Sequence, residues 1–350
     1  MGRLCGLRGI GERNRLADLL DFTVVPKTGI TFSLRPVRRE ELEAWVDLAN
    51  QSRYWQDDAA GTIFDDSLRP PEEPLLRLAA WAPDGALAGV AQAVLGEDGS
   101  RLKDRAQGLV GVAVPYRRQG LGARLADELE RFATDNQVKW LEIDVRESNL
   151  AGAEPFLRTR GFVELERYRT SIQEPARVDL SDLDQVRSQL RREGIETTAF
   201  TAIDSPQARE ELYRATMPIW RDMPHEPHVD WEDPPIATFL KSIFEGPSVL
   251  LDSYFVALDG EHIVGLSYLV RRPDGDAEVG DTGVLHSHRR RGIARTLKRM
   301  VTRYAAERGI QRVHTDNRAD NTGMLAINRE LGFVPGELVV IFEKALRSEA

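Results

Sequence analysis

Residues 289–298 read RRRGIARTLK, and residues 117–129 read RRQGLGARLADEL. Laid over one another, Arg289, Gly292 and Ala294 fall on Arg117, Gly120 and Gly122, each pair 172 residues apart. Val112 and Val284 keep that spacing, as do Asn149 and Asn321, and Gly161-Phe162 and Gly332-Phe333 keep one of 171. PDGALAGVAQAVL (83–95) also matches LDGEHIVGLSYLV (258–270). In both, Asp-Gly sets a hairpin turn ahead of an apolar strand. Matches held in one order over a domain length mean two copies of one domain.

Periodicity predicts the same elements twice. The first copy starts with a strand ITFSLRPV and a helix REELEAWVDLANQ, followed by a hairpin of LRLAAWAP and ALAGVAQAVL. GLVGVAV is then a strand that ends at the basic loop, and LGARLADELERFATDNQ is an amphipathic helix with Leu121, Leu125, Leu129, Phe132 and Ala133 on one face. KWLEIDV is the next strand, a short helix runs to RTRGF, and VELERYRTSI closes the sheet. The second copy repeats this from TTAFTAI to GELVVIFEK, with its long helix over 293–307. Between them, Ser181 and Asp184 read as a capping box for a helix DLDQVRSQLRR. The expected division is an N-terminal extension over 1–29, a first domain over 30–175, a linker with a short helix over 176–195, and a second domain over 196–350. The fold class is α/β (α+β), each domain a mixed, mostly antiparallel sheet flanked by helices.

Composition narrows the functions. The 350 residues are 41% apolar and 29% charged, which suits a globular chain with a full core. A net charge of -9 argues against nucleic acid, which needs a basic face. No run approaches the ~20 apolar residues of a membrane helix, and Arg3, Arg8 and Arg13 break any secretory pattern at the start. Cys5 is the sole cysteine, so no internal disulfide is possible. A cytoplasmic location is expected.

In this acidic chain, a strand–basic loop–helix unit that occurs twice reads as an anion site. Glycine allows a tight turn and close backbone approach. First-turn N–H groups and the helix dipole attract phosphate, and arginines add charge-assisted hydrogen bonds. The loop has no G-x-x-x-x-G-K-[ST] pattern, and it lies mid-domain rather than early in a βαβ unit.

RRQGLG and RRRGIA resemble the acetyl-coenzyme A signature [Q/R]-x-x-G-x-[G/A] of the GCN5-related N-acetyltransferase (GNAT) family. NTGMLAINRELGF (321–333) and, more weakly, NLAGAEPFLRTRGF (149–162) resemble its later pattern of Asn, a side chain near the thiol seven residues on, and L-G-F. The layout resembles the tandem, mycothiol synthase-like type of that family. The resemblance covers residues 30 to 345. It implies acetyl-coenzyme A as cosubstrate, no metal, and a small-molecule primary amine as acceptor. Backbone amides of 118–123 and 290–295 would hold the pyrophosphate. The implied coenzyme residues are Val112, Val114, Arg117, Arg118, Gln119, Gly120, Leu121 and Gly122 in the first copy. In the second they are Val284, Leu285, Arg289, Arg290, Arg291, Gly292, Ile293, Ala294 and Asn321. The fourth and fifth strands would splay, with the acyl group in the gap.

Amine acylation needs a base, because an alkylamine with a pKa near ~10.4 is almost wholly protonated at neutral pH. AEVGDTGVL (277–285) carries Glu278 and Asp281, whereas AQGLVGVAV (106–114) carries no acid. The two acids read either as surface charges at a strand end or as the base; the asymmetry favours the second copy as catalytic. The resemblance implies Tyr at the position near the thiol, but Asn328 and Phe156 stand there. Asn328 can hydrogen-bond to sulfur, and Tyr304 and Tyr268 are the candidate substitutes. For the acceptor, MPIWRDMPHEPHVDWEDPP (217–235) offers Trp220, Asp222, His225, His228 and Trp231, and Tyr268 is added from its strand; these aromatics serve either packing or binding. HEPH lacks zinc-ligand spacing, so no metal is expected. The two copies would form an intramolecular pseudo-dimer, in a chain that can stay monomeric. The rival reading is a coenzyme A-binding regulator without turnover.

Overall fold

The structure, a computed structural model, describes residues 22–24, 31–95, 104–223 and 232–346. His225, His228 and Trp231 lie outside them. The first copy contains β1 (Phe22–Val24), β2 (Phe32–Pro36), α1 (Leu42–Asn50), α2 (Ala59–Leu68), β3 (Leu75–Trp81), β4 (Leu87–Leu95), β5 (Arg105–Val112), α3 (Leu121–Asp135), β6 (Trp140–Arg146), α4 (Glu147–Thr159) and β7 (Val163–Gln173). After the linker helix α5 (Leu183–Arg192), the second copy runs β8 (Ile195–Ala199), α6 (Pro206–Arg221), α7 (Ile236–Phe244), β9 (Phe255–Asp259), β10 (His262–Arg271), β11 (Ala277–Val284), α8 (Ile293–Glu307), β12 (Val313–Arg318), α9 (Thr322–Glu330) and β13 (Val334–Ala345). No described helix is long and apolar enough to cross a membrane.

The described strands form one sheet in the order β1-β2-β3-β4-β5-β6-β13-β7-β12-β11-β10-β9-β8. This corrects the expectation that Val163–Gln173 closes its own copy. β7 pairs with β12 of the second copy, from Val313↔Gln173 to Arg318↔Tyr168. β13 pairs with β6 of the first, from Val339↔Arg146 to Ala345↔Trp140. The two last strands also pair with each other. Each lobe is thus completed by the other's final strand. Local patterning cannot reveal this, because the two copies present equivalent free edges to equivalent strands.

A buried ion triad fastens the exchange. Arg105 of β5 pairs with Glu142 of β6 and donates to Glu343 Oε2 of β13 at 3.0 Å, and all three are buried. Truncating one member of a buried pair leaves uncompensated charge, at a cost of about 3–5 kcal/mol. Arg105→Ala should lower stability to denaturant by that order; a loss within about 0.5 kcal/mol would deny the triad this role.

The linker helix forms but not with the expected cap. It begins at Leu183, and no side-chain cap is present. Asp184 instead receives Arg303 Nη1 at 3.0 Å, while Asp182 pairs with Arg299. Asp184, read as part of the cap, and its neighbour Asp182 thus tie the linker to α8.

Helix packing follows the apolar stripes. Leu121, Leu125, Leu129, Phe132 and Ala133 of α3 are buried against the first lobe's strands. Ile293, Leu297 and Met300 of α8 lie in a cluster with Val284 and Val264. On the opposite face of the second lobe, Met217 and Ile219 of α6 and Phe239 of α7 pack with Tyr268 and Leu266.

Candidate active site

In each lobe the fourth and fifth strands run parallel only briefly. β5 pairs with β6 from Arg105↔Trp140 to Gly108↔Ile143, and β11 pairs with β12 at Ala277↔Val313 and Glu278↔His314. Beyond these points the sheet splays, as the family resemblance implied. The basic loop lies past the far end of each fourth strand.

The two loops share one backbone conformation. Arg118 and Arg290 have φ of 64° and 66°, and Gly120 and Gly292 have 86° and 79°. Left-handed residues alternating along a turn aim their N–H groups into a concave nest that suits an anion. Gly120 and Gly292 are the N-cap residues of α3 and α8, and neither helix start carries a side-chain cap. A Cβ at Gly292 would meet nothing within 4 Å, so the space above the nest is open. One at Gly122 would meet Val112 Cγ2 at 3.6 Å, an ordinary contact, which explains why Ala294 serves at the matching place. Leu121 and Ile293 are buried and anchor the helix starts. These residues fit a pyrophosphate.

Not every basic side chain faces that space. Arg117 Nε donates to Val112 O at 2.9 Å, and Arg289 Nε donates to Val284 O at 3.1 Å. These first arginines brace the loop against its own strand. Arg289 also reaches Asp222 Oδ2 at 3.0 Å, and Arg291 Nη2 donates to Glu193 O at 2.8 Å. Gln119 Nε2 donates to Pro115 O at 3.0 Å. Arg118 and Arg290 are exposed. Val114 is exposed in a turn beyond β5, and Leu285 N–H donates back to Val264 O at 2.9 Å. Asn321 caps α9 by accepting from Met324 N–H at 3.2 Å, whereas Asn149 lies inside α4 and donates to Gln51 O at 2.9 Å.

The lobes differ at the gap. β4 and β5 pair evenly from Gly89↔Val112 to Leu95↔Ala106. Between β10 and β11 the register shifts from Ser267↔Thr282 to Leu269↔Val279, so Tyr268 opposes both Gly280 and Asp281. This β-bulge re-aims side chains at the point where the strands part. Glu278, which opposes His314, matches Gln107, which opposes Glu142. The bulge turns Asp281 onto the face of α6, where Glu278 also lies.

Glu278 is 3% exposed. Its Oε2 accepts from Arg272 Nη1 at 2.7 Å and its Oε1 from Tyr54 O–H at 3.3 Å. Burial pushes this carboxyl up to about 7, against the pull of Arg272 and with help from nearby Asp316. Asp281 Oδ2 accepts from Trp220 Nε1 at 2.8 Å and from Tyr268 O–H at 2.9 Å, and burial raises its pKa. Trp220 and Tyr268, expected as acceptor contacts, are thus hydrogen-bonded to Asp281, and Tyr268 also stacks on Tyr254 at 4.5 Å. Asp222 stands apart on the loop arginine. Of the candidate substitute acids, Tyr268 is committed to Asp281 and Tyr304 lies under Arg308; Phe156, which stands at the Tyr position of the first lobe, has Arg160 over its ring.

Asn328 is on the opposite face and 2% exposed. Its Oδ1 accepts from Lys298 Nζ at 2.7 Å, and its Nδ2 donates to Asn317 Oδ1 at 2.6 Å.

Three groups escaped the sequence reading. Asp316 is on β12, and burial raises its carboxyl while the Tyr54 hydroxyl opposes this. Its first-lobe match, Asp144, accepts from Tyr54 N–H at 2.9 Å. The pair keeps the 172-residue spacing in RVHTDN and KWLEIDV, a signal that was available. Tyr54 comes from the other copy and Lys298 from an apolar helix face, and no motif marks either. Among the described residues, Asp274, Asp276 and His314 have ligand atoms close enough to share a metal. Arg312 Nε lies 2.8 Å from Asp276, and Arg272 Nη2 lies 3.4 Å from Asp274, so cations already face both acids.

A mycothiol acetyltransferase of Corynebacterium efficiens is 30% identical over 86 residues, which are 25% of this chain and 29% of that protein. The chain thus aligns with less than a third of that relative's length. A GCN5-related N-acetyltransferase structure from Sphaerobacter thermophilus superposes with a TM-score of 0.67 at 18% identity, covering 93% of this chain and 98% of that one. A tandem GNAT protein from the clavulanic acid biosynthesis pathway gives a TM-score of 0.67 at 17% identity, covering 91% and 100%. At such identity these structures speak to the fold alone. The family model for the Acetyltransferase (GNAT) family matches residues 35–162 and again 207–333, one match in each copy. The chain therefore belongs to the acetyltransferase (GNAT) family, as a tandem member with two copies of its domain.

Proposed function

We propose that the chain transfers an acetyl group from acetyl-coenzyme A to the primary amine of a small molecule, by direct attack in a ternary complex, with turnover in the second lobe. The observation that carries this reading is Glu278. It is a buried carboxylate tuned to about 7, beside the opening of β11 and β12, where the first lobe has Gln107. A base with a pKa near the working pH combines availability with driving force. Glu278 takes the amine's proton, directly or through one water. Asp281, held by Trp220 and Tyr268, fixes the bulged wall beside it. The nest at 290–295 binds the pyrophosphate, and acetyl-coenzyme A supplies the thioester.

The experiment is a screen of amines, amino acids and aminoglycosides with acetyl-coenzyme A, read by thiol release. Acceptor-dependent release supports the reading. Coenzyme binding with no release from any acceptor favours the regulator.

Both nests should bind coenzyme, because their backbone geometry is shared. Calorimetry with acetyl-coenzyme A should give two sites per chain, and Gly120→Asp should reduce this to one. An unchanged stoichiometry in that variant would remove the first-lobe site.

A further inference from the structure

Lys298 is a full lysine side chain inside α8's packed face, 1% exposed. A buried ammonium is costly unless it is paired and hydrogen-bonded. Its Nζ donates to Asn328 Oδ1 at 2.7 Å and lies 5.2 Å from the centre of the Phe333 ring. Asn328 in turn donates to Asn317 at 2.6 Å, on β12 beyond the last parallel pair. The first lobe has no such chain. At the three matching places stand Ala126, Phe156 and Val145, all apolar. The fold therefore does not require a lysine here. The polar chain occurs only in the lobe that carries Glu278, and it borders the same opening from the opposite face. Glu278 and Asp316 face Tyr54; Lys298, Asn328 and Asn317 face α8.

We propose that Lys298, held in place by Asn328, is the proton donor to the coenzyme thiolate as it leaves. The inference rests on the second lobe as the transfer site. As the tetrahedral adduct collapses, the carbon–sulfur bond breaks and its electron pair goes to sulfur. The Lys298 ammonium gives that sulfur a proton and becomes neutral. The proton lost by the attacking amine is on Glu278. Both groups reset with solvent once products leave. Base and acid thus stand on the two faces of one gap, so neither proton must cross it. The charged group that acts on Lys298 is Asp316, from the other face of β12; α9 and the turn after it contribute Asn328 and Phe333, which are neutral. Burial lowers Lys298 to about 7, with Asp316 opposing, so it can give up a proton at neutral pH.

The test uses the full chain loaded with coenzyme A itself, whose thiolate is followed by ultraviolet absorbance across pH. The titration needs no acceptor, so it is independent of whether transfer to an amine is found; kcat is read with the best acceptor from the screen. With an ammonium beside it, the thiol bound in the second lobe should titrate below the ~8.5 of a free thiol. Gly292→Asp should remove that early phase. Lys298→Met should move the phase up to or above the free value and lower kcat by about 100-fold or more, the scale of general acid catalysis. Lys298→Met should nonetheless keep or raise Tm, because it relieves a buried charge as Ala126 does in the first lobe. If Lys298→Met misfolds, Lys298→Gln preserves a donor to Asn328 and must show the same thiol shift. An early phase unchanged in a folded Lys298 variant, or absent from the wild type, overturns the proposal. So does a variant that loses Tm while keeping kcat, since that is a purely structural lysine.

Discussion

Gly292→Asp should abolish acetyl transfer, while Gly120→Asp should keep most of it. Both glycines hold left-handed backbone at the start of the helix that follows the basic loop. Asp tolerates that conformation better than most side chains. Its Cβ at 292 enters open space, so the fold should survive. The carboxylate then projects where the pyrophosphate would lie. Like charges brought together in an interface cost several kcal/mol, about a thousandfold in coenzyme affinity. Initial rates of thiol release, with circular dichroism to confirm folding, decide the matter. If Gly120→Asp is as damaging as Gly292→Asp in a folded chain, the chemistry belongs to the first lobe.

Glu278→Gln should lower the rate at neutral pH by about 100- to 10,000-fold, the usual share of a general base. The loss should shrink at high pH, where the amine sheds its own proton. Gln107 holds the matching place in the first lobe, so the substitution is already compatible with the fold. Stability should respond in the opposite sense. Glu278 titrates at about 7 when folded and near 4.5 otherwise, so the folded chain holds the extra proton between those values. The stability this provides is complete below about 4.5 and is lost as pH rises through 7. The glutamine variant should lack that loss and match or exceed the wild type at pH 8. Asp281→Asn should cost less, because Trp220 and Tyr268 hold Asp281 as part of the wall.

Much of this was legible in the residues. The repeated Arg-x-x-Gly-x-Gly/Ala loops placed two strand–loop–helix units with a tight glycine turn in each; the left-handed backbone at Gly120 and Gly292 makes those turns. The acids of AEVGDTGVL marked the second lobe. What stayed hidden was set by contacts between the copies. VELERYRTSI and GELVVIFEK are equally good strands for either free edge, so their exchange was not readable. The β-bulge adds one residue to β11, so the first-lobe counterpart of Glu278 is Gln107 and not Ala106, which the 172-residue spacing alone would give. Tyr54 reaches Glu278 across 224 residues of chain, beyond any local pattern. Lys298 was masked because it occupies a core position of an amphipathic helix, where its long stem packs like an apolar side chain.

The most direct measurement is the pH dependence of kcat/KM for the best acceptor found in the screen, in the wild type and in Glu278→Gln. This ratio reports the ionisation of groups in the free enzyme. With Glu278 as the base, the wild type should show a rising limb centred at about 7, and the variant should lack it while its rate climbs only as the amine deprotonates. A limb near 7 that persists unchanged in Glu278→Gln would contradict the assignment and move the base to another residue.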